Sequence, residues 1–221
     1  FFNYQFELHS GIWWIVGRTS AIIFLFLVGV SLTLSYAKNV KKGLSIREIY
    51  RRNLLRGLKI FGWGCLITLV TWVLLREGTI LFGVLHLIGV SIMLCTVLFK
   101  ASFSNVGVKT ALIGVALVLL GICISRFTFN SPILLWLGLK PDHFYTLDYF
   151  PVLPWFGIVL VGVFVGSHQY CGYRRKYLRF FGDYSMNPLS KLFVLFGKNS
   201  LLIYLLHQPI MIVLLWIWQM F

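Results

Sequence analysis

Long apolar runs separated by shorter polar connections set the pattern of this 221-residue chain. A helix needs about 20 mostly apolar residues to cross a bilayer core. Segments of that kind occupy residues 12–35, 57–75, 80–99, 108–125, 151–169 and 192–220. The pattern predicts an all-α fold, a polytopic membrane helix bundle with about six transmembrane helices. No internal repeat is visible, so we expect residues 1–221 to form a single transmembrane domain.

The basic residues are concentrated in three of the connections. Sixteen of the 20 Lys and Arg residues lie in 36–59, 100–109 and 170–198, where only Glu48 and Asp183 oppose them. Short loops rich in Lys and Arg stay in the cytoplasm. We therefore predict an integral cell-membrane protein whose basic connections are cytoplasmic. The N-terminus and the C-terminus of this chain are then both extracytoplasmic.

Composition narrows the class further. Apolar residues make up 59% of the chain and charged residues 12%, whereas soluble globular domains carry about 25% charged residues. The net charge is +14, and the basic residues lie next to the apolar runs. Contact with membrane lipids therefore explains the charge better than binding to nucleic acid, which is not expected as a partner. The cysteines show no Cys-x-x-Cys spacing, and no metal site is predicted. The chain begins at Phe1 without a Met, so we expect an N-terminal helix to be lacking or trimmed.

Two further patterns predict how the helices pack. Gly162 and Gly166 form a Gly-x-x-x-Gly pair, and we expect Gly157 to extend that face for close helix approach. Residues 38–59 mix apolar with basic side chains. That mixture predicts an amphipathic helix that lies along the cytoplasmic interface and runs into the second span.

Polar side chains inside the spans are candidate functional residues because they are costly in a bilayer. Those at depth are Arg18, His86, Asn199 and His207. In the predicted topology Arg18, His86 and His207 lie in the outer half of the membrane, which favours a shared site. Interhelical hydrogen bonds for the histidines and outward extension of Arg18 along its stem remain open alternatives. His9 lies just before the first span. On composition alone it is an ordinary solvated loop residue.

The connection at 126–150 and the start of the fifth span hold a second candidate group. Asp142, Asp148 and Trp155 suit an acceptor pocket, in which rings stack on sugar faces and carboxylates bind hydroxyls. An aromatic belt at the membrane interface is the alternative.

A third group lies at the base of the second span. Its members are Arg51, Arg52, Arg56 and Lys59. They either fix the topology or bind the phosphates of a cofactor.

Five segments of the chain together resemble one family. They are Phe6–Ser35 (FELHSGIWWIVGRTSAIIFLFLVGVSLTLS), Tyr50–Gly62 (YRRNLLRGLKIFG), Phe82–Gly89 (FGVLHLIG), Tyr149–Gly166 (YFPVLPWFGIVLVGVFVG) and Phe196–Pro209 (FGKNSLLIYLLHQP). Each segment is weak by itself, but their order is similar to that in the catalytic domain of heparan-alpha-glucosaminide N-acetyltransferase and its prokaryotic relatives.

The resemblance implies a transmembrane acyltransferase. Such an enzyme moves an acyl group, here expected to be acetyl, from cytosolic acyl-CoA to a sugar hydroxyl or amine on the extracytoplasmic side. The family's catalytic histidine lies just before a span, where this chain has His9. We expect the lumenal domain of the animal enzymes to be absent, so the resemblance implies a carbohydrate or lipid-linked sugar acceptor without specifying heparan. Family members usually begin with an earlier helix carrying an Asp-x-x-Arg-Gly type motif, which this chain does not show.

The implied chemistry assigns a role to each group. His9 acts as general base on the acceptor or carries the acyl group transiently. Arg18, His86, Asn199 and His207 line a tunnel and orient the thioester carbonyl, and the basic group of the second span holds the CoA phosphates. The rival class is a non-catalytic membrane transporter or envelope-assembly helper. A secondary transporter predicts inverted repeats with matched broken helices, and only one clear break, at Pro209, is visible; homo-oligomerisation is left open.

Overall fold

The computed structural model describes residues 11–75, 78–100, 103, 106–129, 132–142 and 144–169, together with 192, 195–197, 199, 203 and 217. Its α-helices are α1 Gly11–Lys41, α2 Ile46–Leu75, α3 Val84–Leu98, α4 Val108–Ile124 and α5 Val152–Gln169. A 3-10 helix, Pro132–Leu137, lies between α4 and α5. Within these residues the backbone forms two isolated β-bridges and no strand. The predicted all-α helix bundle is confirmed.

Three of these helices, α1, α2 and α5, are long and apolar enough to cross a membrane. The apolar helices α3 and α4 have 15 and 17 residues, which correspond to about 23 and 26 Å of helix. α3 is shorter than the predicted span at 80–99 because residues 80–83 are extended chain. The predicted sixth span, 192–220, falls largely outside the described residues.

The predicted single helix over 38–59 is wrong, because the chain turns inside this segment. α1 continues into it, and α2 starts only at Ile46. Gly43 has a φ of +76°, a left-handed conformation that side chains with a Cβ rarely adopt. Ser45 then caps α2: its backbone N–H donates to Glu48 Oε2 at 2.8 Å, and the Glu48 N–H donates to Ser45 Oγ at 3.3 Å. The basic residues that follow form the first turns of one continuous 30-residue helix.

Glycines allow α5 to approach two other helices closely. Gly162 faces the backbone carbonyl of Phe26 in α1, and Gly166 faces Thr33 further along the same helix. α1 and α5 therefore run parallel, and the predicted Gly-x-x-x-Gly packing is confirmed. Gly157 does not extend this face. It packs on α4 instead, because five residues advance a helix by about 140° from one face to another.

The other contacts show that successive helices alternate in direction. Gly57 faces Gly89, and Gly64 faces His86, so α2 and α3 are antiparallel; Gly114 and Gly121 of α4 meet α5 in the same antiparallel sense. The starts of α1, α3 and α5 therefore share one end of the bundle. We call it the loop end, and it includes residues 78–83, 125–129, 132–142 and 144–151. The opposite end, which we call the basic end, holds the α1–α2 turn and residues 99, 100, 103, 106 and 107.

The two ends separate the charged groups as the sequence predicts. The basic residues of the first two stretches, 36–59 and 100–109, lie at or next to the basic end. Residues Arg18, His86 and Asp148 lie toward the loop end. The third basic stretch, 170–198, falls largely outside the described residues. Which end faces the cytoplasm stays a prediction.

Contacts divide the chain into two units, Phe1–Tyr177 and Leu178–Phe221. The five helices α1 to α5 belong to the first unit. In the second unit the Asn199 N–H donates to the Leu195 carbonyl at 3.2 Å, and the Ile203 N–H donates to the Asn199 carbonyl at 2.9 Å. These bonds are those of helical turns. The expectation of a single domain over 1–221 stays a prediction.

Candidate functional site at the loop end

The first turn of α3 obtains its hydrogen-bond acceptors from outside the cap residue. Gly83, at the N-cap, has no side chain to accept the N–H groups that a helix start leaves unpaired. Asp148, in the loop before α5, accepts the Val84 N–H through Oδ2 at 3.0 Å. His86 turns back within the helix, and its Nδ1 accepts the Gly83 N–H at 3.3 Å. Two predicted site residues, Asp148 and His86, thus meet at one helix start.

The ring of His86 is enclosed by aromatic side chains and by α2. It is 4% exposed. The ring of Phe82 stacks on it with centroids 5.5 Å apart, and the ring of Phe61 meets it edge-on at 5.2 Å. Gly64 leaves the space that the ring fills, because a Cβ at this position would lie 2.9 Å from Nδ1. His86 therefore fills a packed position between α2 and α3.

The second nitrogen of His86 faces a hydroxyl of α2. Nε2 lies 3.5 Å from Thr68 Oγ1, and the Thr68 hydroxyl donates to the Ile80 carbonyl at 2.6 Å. Because Nδ1 accepts a backbone N–H, a neutral imidazole carries its hydrogen on Nε2 and directs it at Thr68. Nε2 is thus engaged across helices, as the interhelical alternative for this histidine predicts, whereas Nδ1 is engaged at the start of its own helix.

Two extended segments hold the start of α3 against the loop before α5. The Phe150 N–H donates to the Phe82 carbonyl at 2.9 Å, and the Leu147 N–H donates to the Gly78 carbonyl at 3.2 Å. The Thr146 hydroxyl donates to the Thr79 carbonyl at 2.7 Å. Backbone that is not helical is tolerated at membrane depth only where such partners exist. These hydrogen bonds explain why α3 can begin at Val84 although its predicted span begins at residue 80.

Arg18 lies between two indole rings at the same end. Its Cζ is 5.6 Å from the ring centroid of Trp14, one turn earlier in α1, and 5.4 Å from that of Trp155 in α5. Trp155 is 5% exposed, and its ring also packs on Phe150 with centroids 4.9 Å apart. Arg18 itself is exposed. The structure thus brings together the predicted residues Arg18 and Trp155.

Lys140 approaches this group from the loop. Its Nζ lies 5.0 Å from the ring centroid of Tyr149, and the Tyr149 hydroxyl donates to the Leu135 carbonyl at 2.7 Å. Partial burial lowers the pKa of Lys140, and the positive charge of Arg18 lowers it further. Burial raises the pKa of Tyr149 to about 12. The phenol therefore stays neutral and anchors its ring to the 3-10 helix.

The electrostatics of Asp148 follow from its half-buried position. Burial raises the pKa of this carboxyl, and the hydrogen bond from the Val84 N–H opposes part of the rise. Its Oδ2 accepts the Val84 N–H, so this oxygen faces α3 and is not directed at an acceptor sugar. Asp142, the other predicted carboxylate, is exposed in the loop. Among the described residues, the carboxylates of Asp142 and Asp148 share no contact.

The four predicted basic residues of α2 are all exposed, but they do not share one face. Successive helical residues turn by about 100°, so Arg52, Arg56 and Lys59 fall within about 60° of one another. We call these three the basic strip. Arg51 lies at least about 80° away from each of them around the helix.

The remaining predicted residues lie elsewhere. His9 and His207 fall outside the described residues. Asn199 belongs to the second unit, where its side-chain amide donates to the Leu195 carbonyl of its own helical turn at 3.0 Å. Within the described part of the chain no three His, Cys, Asp or Glu side chains form a group suited to a metal ion.

Residues 1–209 match the family described as heparan-alpha-glucosaminide N-acetyltransferase, catalytic. The chain belongs to this family. The match includes all five segments on which the resemblance rests and every predicted site residue from His9 to His207. No curated protein and no solved structure matches the chain. Membership in this N-acetyltransferase family, with the apolar helices, supports an integral membrane enzyme of the transferase class.

Several residues of the loop end escaped the sequence reasoning. Thr68 has no local signal, because it is one hydroxyl among the apolar residues of a span. Gly64 was visible only as one of several glycines. Lys140 and Tyr149 were visible as a cation and a ring in a polar loop, but nothing in their spacing paired them.

Proposed function

We propose that this chain transfers an acetyl group from acetyl-CoA, bound at the basic end, to a sugar hydroxyl or amine at the loop end. The family match supports a transferase, and the separation of the two ends carries the rest of the proposal. Cations suited to phosphates lie at one end of the bundle, and a histidine and aromatic side chains lie at the other. A bilayer core of about 30 Å divides two such ends in a spanning protein.

The donor is held by the basic strip. The cations Arg52, Arg56 and Lys59 face outward along one side of α2, where several phosphate oxygens can meet them at once. Charge-assisted hydrogen bonds to phosphate are shorter and stronger than neutral ones. Arg51, which points to another part of the helix surface, contributes less. The strip therefore selects the nucleotide end of acyl-CoA, and the thioester arm extends along the bundle.

His9 carries the chemistry at the acceptor. An imidazole is suited to proton transfer near neutral pH. Its ring takes the proton of the acceptor hydroxyl or amine while the oxygen or nitrogen bonds to the acetyl carbonyl carbon. The bond between that carbon and sulfur breaks, and the leaving thiolate takes a proton to become the CoA thiol. In the alternative sequence, His9 first accepts the acetyl group and then passes it on.

The other predicted residues support this reaction from the scaffold. His86 holds the start of α3 in place through Thr68 and Gly83, and so positions the path without contacting the acetyl group. Asn199 and His207 are assigned to the same path, with Arg18 and Trp155 at its outer end. Each of these assignments is part of the proposal.

Donor binding is tested by titrating labelled acetyl-CoA into the purified full chain in detergent. The triple variant Arg52→Gln, Arg56→Gln, Lys59→Gln is compared with Arg51→Gln as the matched control. Loss of charge-assisted contacts predicts affinity at least about tenfold weaker for the triple variant. Arg51→Gln should change affinity by less than about twofold. S-acetyl pantetheine, which has no phosphate, should bind all three proteins alike.

Transfer and its direction are tested in proteoliposomes that separate acetyl-CoA from glucosamine. We expect product only with the donor at the basic end, and none with His9→Ala, which should still bind acetyl-CoA. A burst of labelled protein before product would identify His9 as an acyl carrier. If the wild-type chain neither binds acetyl-CoA nor transfers its acetyl group, the proposal is wrong and a non-catalytic role is favoured.

A further inference from the structure

The connection from α4 to α5 begins with a loop that is held at both of its ends and in its middle. The backbones of Thr128 and Lys140 form a bridge that closes the loop. The 3-10 helix Pro132–Leu137 lies between these two residues, and its Leu135 carbonyl accepts the Tyr149 hydroxyl at 2.7 Å. The side chains that this loop exposes are therefore exposed by its fold.

The loop directs large apolar side chains outward. Leu135 is buried on the inner side of the 3-10 helix, whereas Ile133 is 75% exposed. Trp136 is also exposed and lies on the same side as Ile133, because side chains three residues apart eclipse in a 3-10 helix. Phe127 and Phe129, exposed on either side of the bridge residue, share a side because alternate residues of extended chain do so. We call Phe127, Phe129, Ile133 and Trp136 the apolar set.

The apolar set resumes the outer surface of α4. A stripe of exposed apolar side chains follows this helix toward the loop at intervals of three or four residues: Leu112, Val115, Leu119 and Ile122. Such spacing places side chains on one face of a helix. In a membrane enzyme an exposed apolar stripe of this kind contacts acyl chains. Phe127 follows the last helical residue, Ile124, by three positions, so the loop starts where the lipid-facing stripe ends.

The length of α4 places the start of the loop at the edge of the hydrocarbon. The helix carries Lys109 in its first turn, where the charge reaches the headgroups at the basic end. Its 17 residues extend over about 26 Å, whereas the hydrocarbon core is about 30 Å thick. The residues after Ile124 therefore lie close to the boundary between acyl chains and headgroups, and a tilted helix places them deeper.

We propose that the apolar set inserts into the leaflet at the loop end, at the boundary between acyl chains and headgroups. Its side chains then leave water, as the apolar face of an interfacial helix does. The exposed cations Arg126 and Lys140, near the two ends of the loop, and the indole of Trp136 belong at this level of a bilayer. The loop thus lies along the membrane surface and does not project into solvent. The inference depends on the membrane location of the enzyme and not on acetyl transfer.

Photocrosslinking of the full chain in phosphatidylcholine nanodiscs tests the insertion. The photoreactive residue p-benzoylphenylalanine replaces Phe127 or Trp136, one variant at a time. The same probe at Asp142, an exposed carboxylate of the same connection, is the matched control, and at Leu119 it is the reference for acyl chains. Irradiation followed by mass spectrometry measures the lipid adduct and the carbon that carries it. Thermal midpoints show which variants are folded, and a probe at Phe129 replaces either one that is not.

The two loop variants should form at least about fivefold more lipid adduct than the Asp142 variant, because their probes lie in the interface. Their adducts should fall on the glycerol and the first acyl carbons, and those of the Leu119 variant on deeper carbons. The proposal is overturned if either folded loop variant forms no more lipid adduct than the Asp142 variant. It is also overturned if the probe reacts with a second copy of the chain, or with another segment of its own chain, in place of lipid. Acetyl-CoA binding should be unchanged in both loop variants, so failure of the insertion is distinguishable from failure of the donor site.

Discussion

The Asp148 carboxylate accepts the backbone N–H of Val84 at 3.0 Å and so completes the start of a helix 64 residues earlier in the chain. The cap residue of that helix, Gly83, offers no side-chain acceptor. One carboxylate therefore joins the loop before α5 to the position of His86 in the first turn of α3. A group that contacts this loop is therefore linked to the start of α3 through the Asp148 carboxylate.

Asp148→Ala should lower the free energy of unfolding, because it leaves the Val84 N–H unpaired in a half-buried position. Loss of an N-cap acceptor costs roughly 0.5–2 kcal/mol. Thermal denaturation in detergent measures the change. Asp142→Ala, at an exposed position of the same loop, is the matched control and should lie within about 0.5 kcal/mol of the wild type. Equal losses in the two variants would show that the bond to α3 is not the cause.

The pH dependence of stability should carry the signature of Asp148. Its pKa is raised by burial, so the folded chain binds this proton more tightly than the unfolded chain does. The contribution to stability is therefore present below the ordinary aspartate pKa of 3.8 and is lost as pH rises through the raised value in the folded state. Asp148→Asn keeps an acceptor for Val84 and cannot titrate. The free energy of unfolding of the wild type minus that of Asp148→Asn should decrease as pH rises across that window. A difference that does not change with pH contradicts the raised pKa.

His86→Ala should act through packing. The ring fills space between Phe61, Phe82 and Gly64, and truncation of a buried ring costs about 3–5 kcal/mol. Thermal denaturation should show this loss, whereas His168→Ala at an exposed position near the end of α5 should change stability by no more than about 0.5 kcal/mol. If acetyl transfer falls while the stability of His86→Ala equals that of the wild type, His86 contacts the substrate and the positioning role is wrong.

The sequence predicts the helices because apolar runs of membrane-spanning length have few alternatives. It fails at boundaries that depend on a cap or a loop. The start of α2 depends on Gly43 and Ser45, which the hydrophobic pattern of 38–59 conceals. The start of α3 depends on Asp148, which no local spacing connects to Val84.

The candidate site divides in the same way. Helix direction alone places Arg18, His86 and Trp155 toward one end, and this the sequence predicts. The partners of each side chain depend on rotation about helix axes and on loop conformation. An apolar pattern therefore cannot predict the contact between Arg18 and Trp155 or the contact between His86 and Thr68. The separation of Arg51 from the basic strip follows from helical periodicity once α2 is known to be continuous.

Gly162→Ala tests the closest contact between α1 and α5. A Cβ there would meet the backbone carbonyl of Phe26, which cannot move aside as a flexible side chain can. Overpacking of this kind costs about 1–3 kcal/mol. Gly62→Ala is the matched control, since nothing lies within 4 Å of its Cβ position, and alanine favours a helix over glycine by about 1 kcal/mol. Thermal midpoints should fall for the first variant and stay or rise for the second. The same sign for both would contradict close packing at Gly162.

Asn53→Leu should raise stability, against the usual result of changing a buried residue. Asn53 in α2 is 3% exposed, and its Nδ2 has no hydrogen-bond partner among the described residues. An unpaired buried donor costs about 1–3 kcal/mol, and an apolar side chain of the same branched shape removes that cost. Thr96→Val provides the contrast, because the buried Thr96 hydroxyl donates to the Ile92 carbonyl at 2.7 Å and its loss should destabilise by about 0.5–1.5 kcal/mol. Denaturation of the two variants in the same detergent should therefore move in opposite directions. A loss of stability in Asn53→Leu contradicts the prediction.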